Sequence, residues 1–290
     1  MPLIYELDDR KEFTDKDMWI KANPNLGVSK SITYLQEKVD RAVQNSTFVK
    51  NVLTKEFNIR ETSSESWLTY EELNNTETFD IAKLKLRYGI GGLDLSNTTD
   101  LTCVTVMFKV RDDDRYYVLQ MYWLPEDLFE TRIREDKIPY DKWLHQGFLR
   151  VTPGNKIDYK QVTQWFVDVQ NELDIYIYKI GYDSWNSKYI VDELEDRLGK
   201  GITEPIIQGP RTFSSPMKSF KADIAAGKVI YNNNSILKWC LSNAAIKSDN
   251  NDNLTLVKTS NPKRRIDGVA SLLDSYICME RYYEDYINII

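Results

Sequence analysis

Histidine is nearly missing from this 290-residue chain; His145 is its only imidazole. Serine–histidine and cysteine–histidine hydrolase machinery therefore has almost nothing to work with, and histidine-rich zinc sites are excluded with it. His145 lies in the amphipathic stretch "YDKWLHQGFL" and reads as a surface or packing residue. Cysteine is also scarce. Cys103, Cys240 and Cys278 are far apart and sit inside apolar runs, so they read as buried thiols, neither a disulfide framework nor a zinc site. No run approaches the roughly 18 apolar residues of a membrane helix. The start, "MPLIYELDDRKEF", lacks the basic and apolar regions of a signal peptide. Together these point to a cytoplasmic protein. Positive charge is not in excess either. A net charge of −6 argues against a chain that coats nucleic acid through bulk charge, though "NPKRR" at residues 261–265 makes a local basic patch. Any chemistry must then rest on carboxylates, lysines, hydroxyls or a bound metal.

What is present falls into two parts. Residues 1–75 carry an amphipathic helix, "SKSITYLQEKVDRAVQ" with Ser31 as cap, a further helical or extended piece, "FVKNVLTKEFNI", and a polar linker, "RETSSESWLTYEELNNTE". In residues 76–290, three apolar runs with short connections predict an antiparallel meander: "LRYGIGGLDLS", "DLTCVTVMFKV" and "DRYYVLQMYWLP". Helices and strands then alternate. "KQVTQWFVDVQNEL", "SKYIVDELEDRLG", "SPMKSFKADIAAGK", "NSILKWCLSNAAIK" and "IDGVASLLDSYICMERYYE" read as helices, and "IYIYKIGYDSW", "TEPIIQGP" and "LTLVKTS" as strands. This order predicts an α/β fold of ribonuclease H-like layout, a mixed sheet of antiparallel meander plus parallel strands with helices on both faces. In that layout the first and fourth strands are parallel neighbours, and the last helix packs across them.

Three carboxylates mark the layout. Asp94 ends the first strand, Asp183 ends the fourth, and Asp267 lies in the first turn of the last helix. Each has a plainer reading: a turn residue for Asp94, a helix cap for Asp183, a helix-dipole partner for Asp267. Jointly they fall where three ionised groups would repel one another unless a cation stood between them. Oxygen ligands suit Mg²⁺ or Mn²⁺, and two such ions can clamp a phosphodiester for hydrolysis without histidine. Asp100, across the turn from Asp94, and Asp274, seven residues after Asp267, are candidates for supporting groups or extra ligands, or are simply solvated. Lys263, Arg264 and Arg265 stand beside the proposed site as candidates for holding a DNA backbone, or form a solvated loop. "QGPRTFSSPMKSFK" adds Arg211, Lys218 and Lys221, whose place relative to the site the sequence leaves open.

At this point the chain resembles a known family. "GGLDLSNTTDLT", "YDSWNS", "QGPRTFSSPMKSF", "NNNSILKWCLSNA" and "KRRIDGVASLLDSY", in that order, look like the nuclease half of the large terminase subunit of tailed bacteriophages. "WIKANPNLG" and "FVKNVLTKEFNI", followed by Trp67, look like the end of that family's ATPase half and its linker. The resemblance implies a metal-dependent endonuclease that cuts concatemeric double-stranded viral DNA during packaging. It implies Asp94, Asp183 and Asp267 as metal ligands for two Mg²⁺ or Mn²⁺ ions, and the portal protein, the small terminase subunit and an ATPase half as partners in a bacterial host cell. The chain departs from the family in lacking a G-x-x-x-x-G-K-[ST] loop; "GVSKS" at residues 27–31 has the wrong spacing, so no ATP hydrolysis is expected from it. Two other readings are a resolvase, transposase or ribonuclease with the same acidic cluster, and a docking module that cuts nothing by itself.

Overall fold

A computed structural model describes residues 3–61, 66–95, 101–184, 187–249, 251–258 and 264–290. The chain divides into two compact units, Met1–Ser64 and Glu65–Ile290. In the first, α1 (Ile32–Gln44) begins where the Ser31 side chain accepts the Tyr34 N–H, as its sequence predicts. Leu35, Val39 and Ala42 recur at helical spacing and are buried. They close with Trp19, Val52 and Phe57 around a small core, with α2 (Val49–Phe57) supplying the last two.

The second unit is built on one sheet. β1 (Tyr88–Asp94), β2 (Thr102–Phe108) and β3 (Tyr116–Pro125) form the expected antiparallel meander. After α3 (Glu126–Asp136) and α4 (Tyr140–His145), β4 (Leu149–Thr152) adds parallel to β3. α5 (Tyr159–Leu173) leads into β5 (Tyr176–Asp183), which lies parallel beside β1. α6 (Lys188–Leu198) and β6 (Thr203–Ile206) follow, with β6 parallel to β5. α7 (Pro210–Ala225) precedes β7 (Val229–Ile230), which pairs with the start of β3. The sheet order is therefore β4-β3-β2-β1-β5-β6. The central strands are apolar throughout because both faces are covered. On one face Leu93, Val104, Val106, Trp123 and Ile180 pack with Phe166 and Leu194 of α5 and α6. On the other, Ile90, Cys103, Met107 and Tyr122 pack with α7, α8 (Ser235–Asn243) and α9 (Asp267–Arg281). α9 is buried from Asp267 to Met279, enclosed on all sides as a core helix must be.

Two sequence expectations change. "NSILKWCLSNAAIK" is not one helix: α8 ends at Asn243, and Ala244–Ser248 forms β8, paired antiparallel with β9 (Leu254–Lys258). The stretch read as linker is packed from Ser66 onward. Ser66 Oγ donates to the Ser242 carbonyl and Trp67 N–H to the Ala244 carbonyl, while Trp67, Leu68 and Leu73 enter the core of the second unit. Among the described residues no helix is long and apolar enough to cross a membrane.

Candidate metal centre

The parallel ladder between β1 and β5 pairs Gly92 with Gly181 and Leu93 with Tyr182; Asp94 and Asp183 are the next residue on each strand. They therefore stand side by side at the carboxyl ends of two central strands, the end at which open α/β sheets bind ligands. Side chains alternate along a strand, so the residues two positions back show which face they take. A Cβ on Gly92 would run into the Ser271 carbonyl oxygen, and one on Gly181 into that of Asp274, both on α9. Asp94 and Asp183 thus share the face that α9 covers. Each is half-buried.

Asp267 opens α9, 6% exposed, where the helix dipole favours a negative group. The Cys240 thiol senses both halves of the arrangement. Burial pushes it well up, and the charges of Asp267 and Asp94 push it further. The Cys103 thiol, opposite Asp94 in the β1–β2 register, is likewise driven up, first by burial. All three cysteines are free and buried. Cys103 and Cys240 therefore stay protonated, and thiols in that state do not compete for soft metals. The remaining donors are hard carboxylate oxygens, which fit Mg²⁺- or Mn²⁺-like ions in chemistry and in placement. Among the described residues no three histidine, cysteine or acidic side chains close to ion-enclosing distance. The fold brings Asp94, Asp183 and Asp267 to one face and one end of the sheet without forming a ligand shell.

Asp274, two turns further along α9, is fully buried. Gln208 Nε2 donates to its Oδ2 at 2.9 Å. Burial drives this carboxyl well above the usual carboxylate range; the Gln208 bond opposes the rise and the Asp183 charge adds to it. It is not the solvated helix residue that the sequence allowed. Asp100 and Lys263 lie outside the described residues. Arg211 is exposed in the first turn of α7, just past β6, and so lies at the same end of the sheet as the carboxylates. Arg264 is half-buried. Arg265 corrects the sequence reading, because its side chain turns inward. Its Nη2 lies 3.7 Å from Asp136 Oδ2 on α3, with side-chain exposures of 7% and 1%, and Tyr140 donates to the same carboxylate at 3.0 Å. A guanidinium held there is part of the scaffold rather than of a solvent-facing basic patch. His145 is exposed at the end of α4.

The polar residues around Asp267 escaped the sequence reading. Gln120, Thr105, Asn243 and Ser271 are all buried and hydrogen-bonded. The available signal was a polar residue inside an apolar run, as in "YVLQMYW", since a buried amide must find partners.

A mixed sheet whose first and fourth long strands lie parallel, with carboxylates at their tips and a helix carrying a third, defines a ribonuclease H-like protein. The sequence matches the family model of the terminase large subunit endonuclease domain over residues 2–281, and the chain belongs to that family. It is 25% identical over 273 residues to the terminase large subunit of Enterobacteria phage HK97, covering 93% of this chain and 52% of that protein. It is also 25% identical over 281 residues to protein YmfN of Escherichia coli K12, covering 93% and 61%. The fold is similar to the crystal structure of the HK97 bacteriophage large terminase, with a TM-score of 0.65 at 23% identity over 94% of this chain and 56% of that one. The chain thus spans little more than half the length of these relatives.

Proposed function

We propose that this chain is the DNA-cutting part of a viral packaging enzyme, hydrolysing double-stranded, concatemeric DNA in a metal-dependent reaction with little sequence preference. The observation that carries the reading is the side-by-side placement of Asp94 and Asp183 on the face covered by α9, whose first residue is Asp267. These three carboxylates would hold the cations, two Mg²⁺ or Mn²⁺ ions. Bound there, the ions supply activation of water and neutralisation of charge on the phosphodiester. The protein contributes orientation: strand register fixes Asp94 against Asp183, and α9 brings Asp267 over them. Asp274 and Asp100 are supporting groups in this reading. Arg211, with Lys263 and Arg264, holds the DNA backbone; such contacts position a duplex without reading its bases. An ATPase half, a portal protein and a small terminase subunit would be partners in the cytoplasm of a bacterial host.

The test is cleavage of supercoiled plasmid by the purified chain with Mg²⁺, with Mn²⁺ and with chelator. Nicking and linearisation that chelator abolishes are expected. No cleavage with either metal, from protein with a cooperative melt, would sink the autonomous nuclease and favour a docking module. Preferential cutting of branched DNA or RNA–DNA hybrids would move the reading to a resolvase or ribonuclease. Arg211→Ala is expected to weaken DNA binding about equally across sequences and to lower the slope of log K against log salt by about 1, the signature of one lost phosphate contact. Arg265→Met is expected to leave that slope unchanged; an equal drop for both would return Arg265 to the DNA interface.

A further inference from the structure

The carboxylate of Asp267 is set by the backbone around it, and that backbone is held on both sides by buried side-chain amides. On the C-terminal side, Gln120 of β3 donates from Nε2 to the Gly268 carbonyl at 2.8 Å. On the N-terminal side, Asn243, the last residue of α8, donates from Nδ2 to the Arg265 carbonyl at 3.0 Å. Both amides are at least nine-tenths buried, at 7% and 3% exposure. The two bonds differ in kind. The Arg265 carbonyl precedes the helix, so a side chain is a reasonable donor for it. The Gly268 carbonyl lies inside α9, where the helix itself supplies a donor four residues on. Gln120 therefore adds a bond that satisfaction of the helix does not require.

Gln120 is also tied to the strand that carries Asp94. Its Nε2 donates to Thr105 Oγ1 at 2.8 Å, and its Oε1 accepts from Tyr122 at 2.7 Å. Thr105 Oγ1 lies 2.8 Å from Ser271 Oγ, and Ser271 donates to the Gly92 carbonyl at 3.0 Å. With Ser271 donating to Gly92, Thr105 is the donor to Ser271, and every member of the chain has a consistent direction. The relay runs from Gly268, beside Asp267, through β3 and β2 to Gly92, two residues before Asp94. Close packing keeps it fixed: a Cβ on Gly268 would collide with the Tyr122 hydroxyl.

We propose that Gln120 and Asn243 are positioning residues of the metal centre, two buried amides that clamp the backbone on either side of Asp267 and hold its carboxylate in register with Asp94. The proposal rests on the reading of Asp267 as a metal ligand. Its test is binding of MnCl₂ to the full chain without DNA, by calorimetry and by the loss of the free-ion electron paramagnetic resonance signal, for Gln120→Met and Asn243→Leu. Both changes keep the approximate shape of the side chain and remove the donor. Mn²⁺ affinity is expected to fall about 10- to 100-fold, the usual effect of removing a group that orients a ligand. The Mn²⁺ midpoint for plasmid cleavage should move in parallel, with cleavage partly restored at saturating metal. Phe166→Leu, on the opposite face of the sheet, is the control: it lowers the melting temperature and keeps Mn²⁺ affinity. Wild-type Mn²⁺ affinity in both amide variants would overturn the proposal. Failure of both to fold while Phe166→Leu folds would overturn it too, by assigning the amides to the fold alone. Asp267→Asn separates the two readings. If it binds Mn²⁺ like wild type, the ligand reading itself fails; if it loses Mn²⁺ while the amide variants keep it, only the clamp fails.

Discussion

Asp267→Asn is expected to reduce metal-dependent cleavage by about 10³-fold or more while leaving the protein folded. The factor corresponds to about 4 kcal/mol of transition-state stabilisation, within the several kcal/mol that a metal-assisted step supplies. Asparagine keeps the shape of the side chain and an oxygen, but loses the charge that holds a hard cation. The stability effect should not follow the activity effect. Asp267 is buried, and its charge and that of Asp94 bear on the same thiol, so the two carboxylates oppose each other when no ion lies between them. Neutralising one relieves that repulsion but gives up the favourable helix-dipole interaction at the start of α9, so the metal-free melting temperature is expected to change little. Adding Mn²⁺ should then separate the two proteins. A ligand at about 100 times its Kd stabilises the native state by about 2.7 kcal/mol, so the wild-type melt should rise with metal and the variant's should not. Thermal melts with and without Mn²⁺, beside plasmid cleavage, check both halves. A variant that still cuts at the wild-type rate would remove Asp267 from the site.

What can be seen in the amino-acid sequence depends on the range of the interactions involved. The place of Asp94 and Asp183 at strand ends was legible because each closes a long apolar run, and a carboxylate there is costly to bury alone. The meander was legible because its connections are short. β8 was not. Ile236, Leu237, Cys240, Leu241, Ala244 and Ala245 keep helical spacing straight through the end of α8, and only the pairing of Ala244–Ser248 with Leu254–Lys258 shows that the chain has changed conformation. β4 and β7, four and two residues long, are strands only because β3 offers them an edge. Arg265 shows the same limit for charge. Beside Lys263 and Arg264 it reads as one more cation in a basic run, and the partner that draws it inward, Asp136, comes from a helix far earlier in the chain. Gln120 carried a local signal, one amide in an apolar strand, but its partners on α9 and β2 exist only in the folded protein. Long apolar runs and their ends could be read directly. Contacts that join distant segments could not, and those contacts are what hold Asp267 near Asp94.

Gly92→Ala is expected to be the most damaging single-methyl change in the chain, and to abolish cleavage as well as destabilise. At Gly92 the backbone of α9 comes directly against the sheet. A Cβ at position 92 would meet the Ser271 carbonyl oxygen directly and lie 2.7 Å from Ser275 N, with the Ser275 Cβ at 2.8 Å. Two of these three obstacles are helix backbone, which cannot rotate away as a side chain can. Ordinary overpacking costs about 1–3 kcal/mol because side chains shift. Here the helix itself must lift, and the cost should exceed about 4 kcal/mol, in the range reserved for gross disruption of a core. Gly91→Ala is the comparison. Its Cβ would point to the opposite face, 2.8 Å from Ile180 Cγ1 and 3.2 Å from the Phe166 ring, where side chains can yield, so its cost should stay within the ordinary range. Lifting α9 also breaks the Ser271–Gly92 bond and takes Asp267 with it, so any Gly92→Ala protein that still folds should cleave far less than its remaining stability implies. Chemical denaturation of the two alanine variants, with plasmid cleavage measured well below their melting temperatures, decides the matter. Equal stability losses for Gly91→Ala and Gly92→Ala would show that α9 is not pinned where Gly92 admits it. A stable Gly92→Ala with full cleavage would show that the separation of α9 from β1 does not set the metal centre.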